Sequence, residues 1–133
     1  MKQAVKWVVV LGVIGGAYFW LSRNPAPVDA PLENIVVPQF SALAAEGEVI
    51  FNGTCAACHG VNIAGTERGP SLLRPNYRPR FHADYAIRAA VKNGVTPHHW
   101  QFGAMPPQDQ IGDAEVERLI AYIRELQRAN GLN

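Results

Sequence analysis

The stretch CAACHG at residues 55 to 60 holds both cysteines of this 133-residue chain, with a histidine directly after the second. Thiols three positions apart share one helical turn, where each can add across one of the two vinyl groups on a haem edge. The adjacent imidazole of His59 then lies beneath the iron as an axial ligand, so C-x-x-C-H reads as covalent haem attachment. Rival uses of Cys55 and Cys58 fare worse. A structural zinc site needs four ligands and normally two such pairs, and no second cysteine pair exists. A thioredoxin-like redox pair needs a βαβ setting, of which the pattern shows none. A disulfide across three residues staples very little chain. The expected cofactor is one covalently attached haem c.

The chain that must position this turn has room for one ordinary domain. Its net charge is +1 and it has no run of like charges, so nothing points to nucleic acid. SALAAEGEVIFN (41 to 52) has helix-forming composition with Ser41 as N-cap, and Leu43, Gly47, Ile50 and Phe51 fall on nearby faces. Residues 60 to 80 are rich in Gly, Pro and Asn and read as loop, with GPSLL (69 to 73) dipping an apolar pair inward. HADYAIRAAVKNG (82 to 94) reads as helix, with Tyr85, Ile87, Ala90 and Val91 apolar and Gly94 as the stop. Residues 95 to 112 hold three prolines and are irregular.

The final helix has the fullest set of signals. Asp113 is the expected cap, Glu115 and Glu117 sit in the positive first turn, Arg124 and Arg128 lie toward the negative end, and Gly131 stops it. Val116, Leu119, Ile120, Ile123 and Leu126 form one apolar stripe. The expected fold class is all-α, three to four short helices joined by long loops. Two loops of about 18 to 20 residues would not pack in so small a domain unless something besides side chains filled the core.

Ahead of the domain, MKQAVKWVVVLGVIGGAYFWLSR (1 to 23) reads as a membrane anchor. From Ala4 to Leu21 a helix covers roughly 27 Å, close to a bilayer's hydrocarbon thickness. Trp7 at one end and Tyr18, Phe19 and Trp20 at the other suit interfacial belts, and Lys2 and Lys6 put the N-terminus on the cytoplasmic side. A cleaved signal is the competing reading, but cutting near Gly15 and Ala17 would leave YFWL as a new terminus. Residues 24 to 39, with four prolines, form a linker reaching up to roughly 50 Å. The domain is placed at 40 to 133.

With these motifs in place, residues 40 to 131 resemble a class I c-type cytochrome. The resemblance rests on Gly47 and Phe51 as the G-x-x-x-F/Y before the haem motif, on Gly69, Pro70 and Leu72 as G-P-x-L after it, and on the methionine-proline pair Met105-Pro106. It implies that Pro70 accepts a hydrogen bond from the other ring nitrogen of His59, that Met105 is the second axial ligand, and that the first and last helices cross at Gly47 against Tyr122. Met105 is the only methionine besides the initiator; His98, His99 and the more distant His82 compete with it as iron ligands. Trp100 and Phe102 can wall the distal side, and Tyr77 or Trp100 could hydrogen-bond a propionate. Arg68, Arg74, Arg78 and Arg80 read as propionate partners or a docking patch, and as readily as those two together as an ordinary solvated loop.

Ligands in both axial positions leave no room for a substrate, so no catalytic residue and no small-molecule substrate are expected. The expected function is one-electron transfer between redox proteins, donor and acceptor being membrane complexes of a respiratory or photosynthetic chain. The expected location is the bacterial inner membrane, single-pass, with the haem domain in the periplasm. A fixed cytochrome subunit of a larger membrane oxidoreductase is the alternative, followed by a haem sensor or small enzyme in which Met105 is displaced.

Overall fold

The computed structural model describes residues 12–16, 18, 32–98 and 100–133. Residues 12–16 and 18 are helical and exposed; no helix among the described residues is long and apolar enough to cross a membrane. The rest of the expected anchor, and the linker up to residue 31, lie outside the described residues.

Residues 32–133 form a helical domain of α1 (Ala42–Thr54), α2 (Ala56–His59), α3 (Asp84–Asn93) and α4 (Asp113–Ala129), with short 3-10 turns at Val61–Ile63 and Pro75–Tyr77. Among the described residues the only extended pairings are isolated bridges, Thr66 with Gly69 and Val95 with Met105.

Ser41 caps α1 as expected, its hydroxyl accepting from the Ala44 amide at 3.2 Å. Two expected faces are corrected. Leu43 is 49% exposed and Ala44 takes the core position, while Tyr85 on α3 is 75% exposed. The cap of α4 also differs. Gly112 occupies that position with extended backbone, and its amide donates to Glu115 Oε2 at 2.7 Å. Asp113 is the first helical residue, and its carboxylate turns to Lys92 Nζ at 2.8 Å, which ties the end of α3 to the start of α4. The far end closes as the sequence predicts: Gly131 takes φ 77° and the Leu132 amide reaches back to the Gln127 carbonyl.

The core is the crossing of α1 and α4. A Cβ on Gly47 would stand 2.0 Å from the Arg118 carbonyl oxygen and 3.0 Å from Tyr122 Cβ, so only glycine lets the two backbones approach this closely. Tyr122 then packs between Phe40 and Phe51, with ring centroids at 5.2 and 5.3 Å. The predicted stripe of α4 is buried throughout. Arg124 and Gln127 of α4 are buried as well, which the apolar pattern does not foretell.

Residues 32–39, read from sequence as linker, lie along this domain. Leu32 donates to the Ala64 carbonyl, and the Asn130 side chain both accepts from the Val36 amide and donates to the Val36 carbonyl. Ser41 adds two bonds to the Glu125 carboxylate.

Candidate functional site

The helices leave a cleft of about 540 Å³ between them, within the roughly 300–1,000 Å³ usual for ligand pockets. Phe51, Cys55, Cys58 and His59 form one part of its wall, Pro70 and Leu72 continue it, and Ile87 and Val91 of α3 and Leu119 and Ile123 of α4 add apolar side chains. Trp100, Phe102 and Met105 complete it from the loop before α4. The seven residues singled out from the sequence, Cys55, Cys58, His59, Pro70, Leu72, Trp100 and Met105, are thus brought to one cavity from three stretches of chain.

The thiols reach the cleft because α1 and α2 meet at Cys55. Its amide closes α1 on the Phe51 carbonyl at 2.8 Å, and its own carbonyl opens α2 by accepting from Cys58 and His59. Burial, with the neighbouring Cys58 thiol second, pushes the Cys55 thiol up to about 11. A redox-active C-x-x-C lowers a thiol pKa, so the direction of this shift does not favour the dithiol-redox rival.

After His59 the chain must turn back beneath it. Gly60, Asn62 and Ile63 all take positive φ, which for the β-branched, fully buried Ile63 is a strained conformation. Ser71 holds it there, its buried hydroxyl donating to the Ile63 carbonyl at 3.0 Å while the Leu72 amide donates to the same oxygen. This return places the Pro70 carbonyl 3.0 Å from His59 Nδ1. A carbonyl can only accept, so Nδ1 carries the proton and Nε2 keeps its lone pair for a metal. Burial lowers the His59 pKa below the ordinary histidine value, against the smaller opposing effect of the Pro70 bond. The imidazole is therefore held in the neutral form that ligation needs.

Met105 is set by backbone geometry. It exchanges two hydrogen bonds with Val95, both at 2.9 Å, which closes residues 96–104 into a loop. Gly94 makes this possible: it turns at φ 70°, and a Cβ there would stand 2.5 Å from the Met105 carbonyl oxygen.

The competitors fare unequally. His82 and His98 also line the cleft, their Nδ1 atoms bonded to the Asn76 and Thr96 carbonyls, and His99 lies outside the described residues. Trp100 Nε1 donates to the Gly103 carbonyl at 3.0 Å. Of the four arginines, Arg68 is among the lining residues and Arg74, Arg78 and Arg80 are not; Arg80 stacks on Phe81 at 4.5 Å. Sequence reasoning missed Gln127, which lines the cleft and donates to the Leu72 and Tyr77 carbonyls at 2.9 and 3.0 Å. Its one sequence signal is a polar residue on the stripe side of α4, one position after Leu126. No cluster of three or more His, Cys, Asp or Glu that could hold a metal ion is found among the described residues.

Such a cleft, with two thiols on one turn, a neutral imidazole beside them and a thioether across the loop, is a haem-binding domain of the c type. The cytochrome c family model matches residues 44–127, and the chain belongs to the cytochrome c family. Membership implies haem c, and the donor set fits it: two free thiols, one ring nitrogen and one sulfur, on residues that line a largely apolar cavity. Among the relatives, the cytochrome bc1 complex cytochrome c subunit of Mycobacterium bovis is 27% identical over 133 residues, covering 98% of this chain and 41% of that protein. The cbb3-type cytochrome c oxidase subunit CcoP of Cereibacter sphaeroides is 32% identical over 87 residues, 65% of this chain and 28% of that protein. The lupanine 17-hydroxylase [cytochrome c] of a Pseudomonas species is 36% identical over 91 residues, 67% of this chain and 12% of that protein. The chain thus spans well under half the length of these relatives. Its kinship with bc1 and oxidase cytochrome c subunits is consistent with electron transfer.

Proposed function

We propose that the chain is a membrane-tethered one-electron carrier with a single haem c, passing electrons between membrane-bound redox complexes at the periplasmic face of a bacterial inner membrane. In this reading residues 1–23 are an uncleaved anchor, 24–39 the linker, of which 32–39 lie against the domain, and 40–133 the cytochrome domain. Cys55 and Cys58 hold the haem edge by thioethers, and His59 and Met105 are the iron ligands. The carrying observation is the convergence on one cleft of the C-x-x-C-H turn, with His59 oriented by Pro70, and of Met105, set by its bridge to Val95.

Bound there, the haem supplies a one-electron couple. The chain's own residues do the rest. Pro70 fixes the His59 tautomer and so directs Nε2 into the cleft. Leu72, Ile87, Val91, Leu119 and Ile123 exclude water, and a thioether ligand in such an apolar site favours the reduced state relative to a second imidazole. His59 and Met105 would together hold the iron and so would leave no place on it for a substrate. A fixed subunit of a larger oxidoreductase is the second reading, favoured by relatives that are named as subunits of bc1 and oxidase complexes.

The test is covalent haem staining with iron quantification. Wild-type protein exported to an oxidising compartment is expected to carry one iron per chain and to stain after denaturation. Cys55→Ala with Cys58→Ala should lose the stain and most of the folded domain; a stable, folded, unstained double variant refutes the proposal, as does a wild-type ratio of two irons.

A further inference from the structure

Arg124 sits on the helix that walls the cleft, yet it is only 7% exposed. Its Nε donates to Asp84 Oδ1 at 2.8 Å, and its two terminal nitrogens donate to Gln127 Oε1 and to the His82 carbonyl. Gln127 and His82 both line the cleft, and Gln127 in turn holds the carbonyls of Leu72 and Tyr77, two further lining residues. The guanidinium therefore lies directly behind the wall formed by residues 72–82.

Burying a charge is costly, and a methionine of similar volume would brace the same wall without that cost. A guanidinium stays ionised at any ordinary pH. Its counter-charge is unevenly placed: the Asp84 side chain is 58% exposed against 9% for Arg124. Water and salt screen the carboxylate, whereas the cation acts through the low-dielectric interior. The contribution of this pair to the field in the cleft is consequently positive.

We infer that Arg124 is a positioning residue that also biases the cleft electrostatically toward the reduced state of its haem, with Asp84 as the partial counterweight. The inference rests on the proposal that this cleft holds a one-electron haem. Accepting one electron from a donor protein removes one positive charge from the site, with no proton or bond exchanged, so a fixed cation nearby favours the reduced form. Asp84 opposes this, less strongly because it is solvated.

Potentiometric titration of the holoprotein, read by visible absorbance, separates this role from simple bracing. Arg124→Gln should lower the reduction equilibrium constant twofold to tenfold, at most about 59 mV for one electron. Arg124→Lys keeps the charge and should stay within twofold of wild type. Asp84→Asn should shift the constant the opposite way, upward. A brace without an electrostatic role predicts that Arg124→Gln and Asp84→Asn both loosen the wall and move the potential in one direction or not at all; either result overturns the inference. Asp84 is exposed, so Asp84→Asn decides the matter even if Arg124→Gln folds poorly. Failure of the underlying reading looks different, because a cleft without haem gives no absorbance in any variant, including wild type.

Discussion

At the residue scale, the placement of Met105 depends on a glycine eleven positions earlier. Gly94 turns at φ 70° with no space for a Cβ against the Met105 carbonyl, so an alanine there is opposed by both conformation and contact. Gly94→Ala should push the Met105 backbone out of its bridge with Val95 and weaken sulfur ligation while the thioethers persist. The measurement is the weak near-red band of oxidised methionine-ligated haem, expected to be lost in Met105→Ala and reduced in Gly94→Ala at unchanged covalent staining. A full band in Met105→Ala would show that Met105 is not its source, and a wild-type protein without the band would shift attention to His98. Residues of this kind were legible to unequal degrees. Cys55, Cys58 and His59 announce themselves because the chemistry demands them within five positions. Gly94 reads from sequence only as a helix stop, and its service to Met105 exists only once the bridge forms.

At the element scale, the crossing of α1 and α4 is the part of the fold most dependent on one side chain being absent. The atoms a Gly47 Cβ would strike are backbone atoms of Arg118, which cannot rotate away. Gly47→Ala should therefore cost about 3 kcal/mol, the upper end of the overpacking range, and lower the thermal midpoint of the holoprotein by roughly 15 °C. An unchanged midpoint would mean that the helices part at no cost and that the crossing does not organise the core. The helices themselves were readable from periodicity and capping chemistry, with errors confined to ends and faces. The loops were not. Their order comes from bonds spanning long stretches of sequence, such as Gln127 to Leu72 and Arg124 to Asp84, and a local pattern carries no trace of which carbonyl a distant amide will find.

At the scale of the whole molecule, the proposed anchor makes the length of free tether the quantity that decides which partners the domain can meet. The Glu125 side chain of α4, that of Asn130 just after it and the Ala64 carbonyl hold residues 32–41 against the domain, so the span from 24 to 39 does not all serve as reach. Eight residues before Leu32, at about 3.1 Å each, give roughly 25 Å where the full stretch would give roughly 50 Å. Under the proposed tether, a shorter reach would limit the carrier to acceptors that stand close beside it, which narrows the distance between a tethered carrier and a fixed subunit. Native size separation after mild detergent extraction resolves which it is. The carrier reading expects the haem absorbance in one small species. Absorbance that migrates wholly with a large complex assigns the chain as a subunit, with the strap serving to fix the orientation of the cleft toward a permanent neighbour.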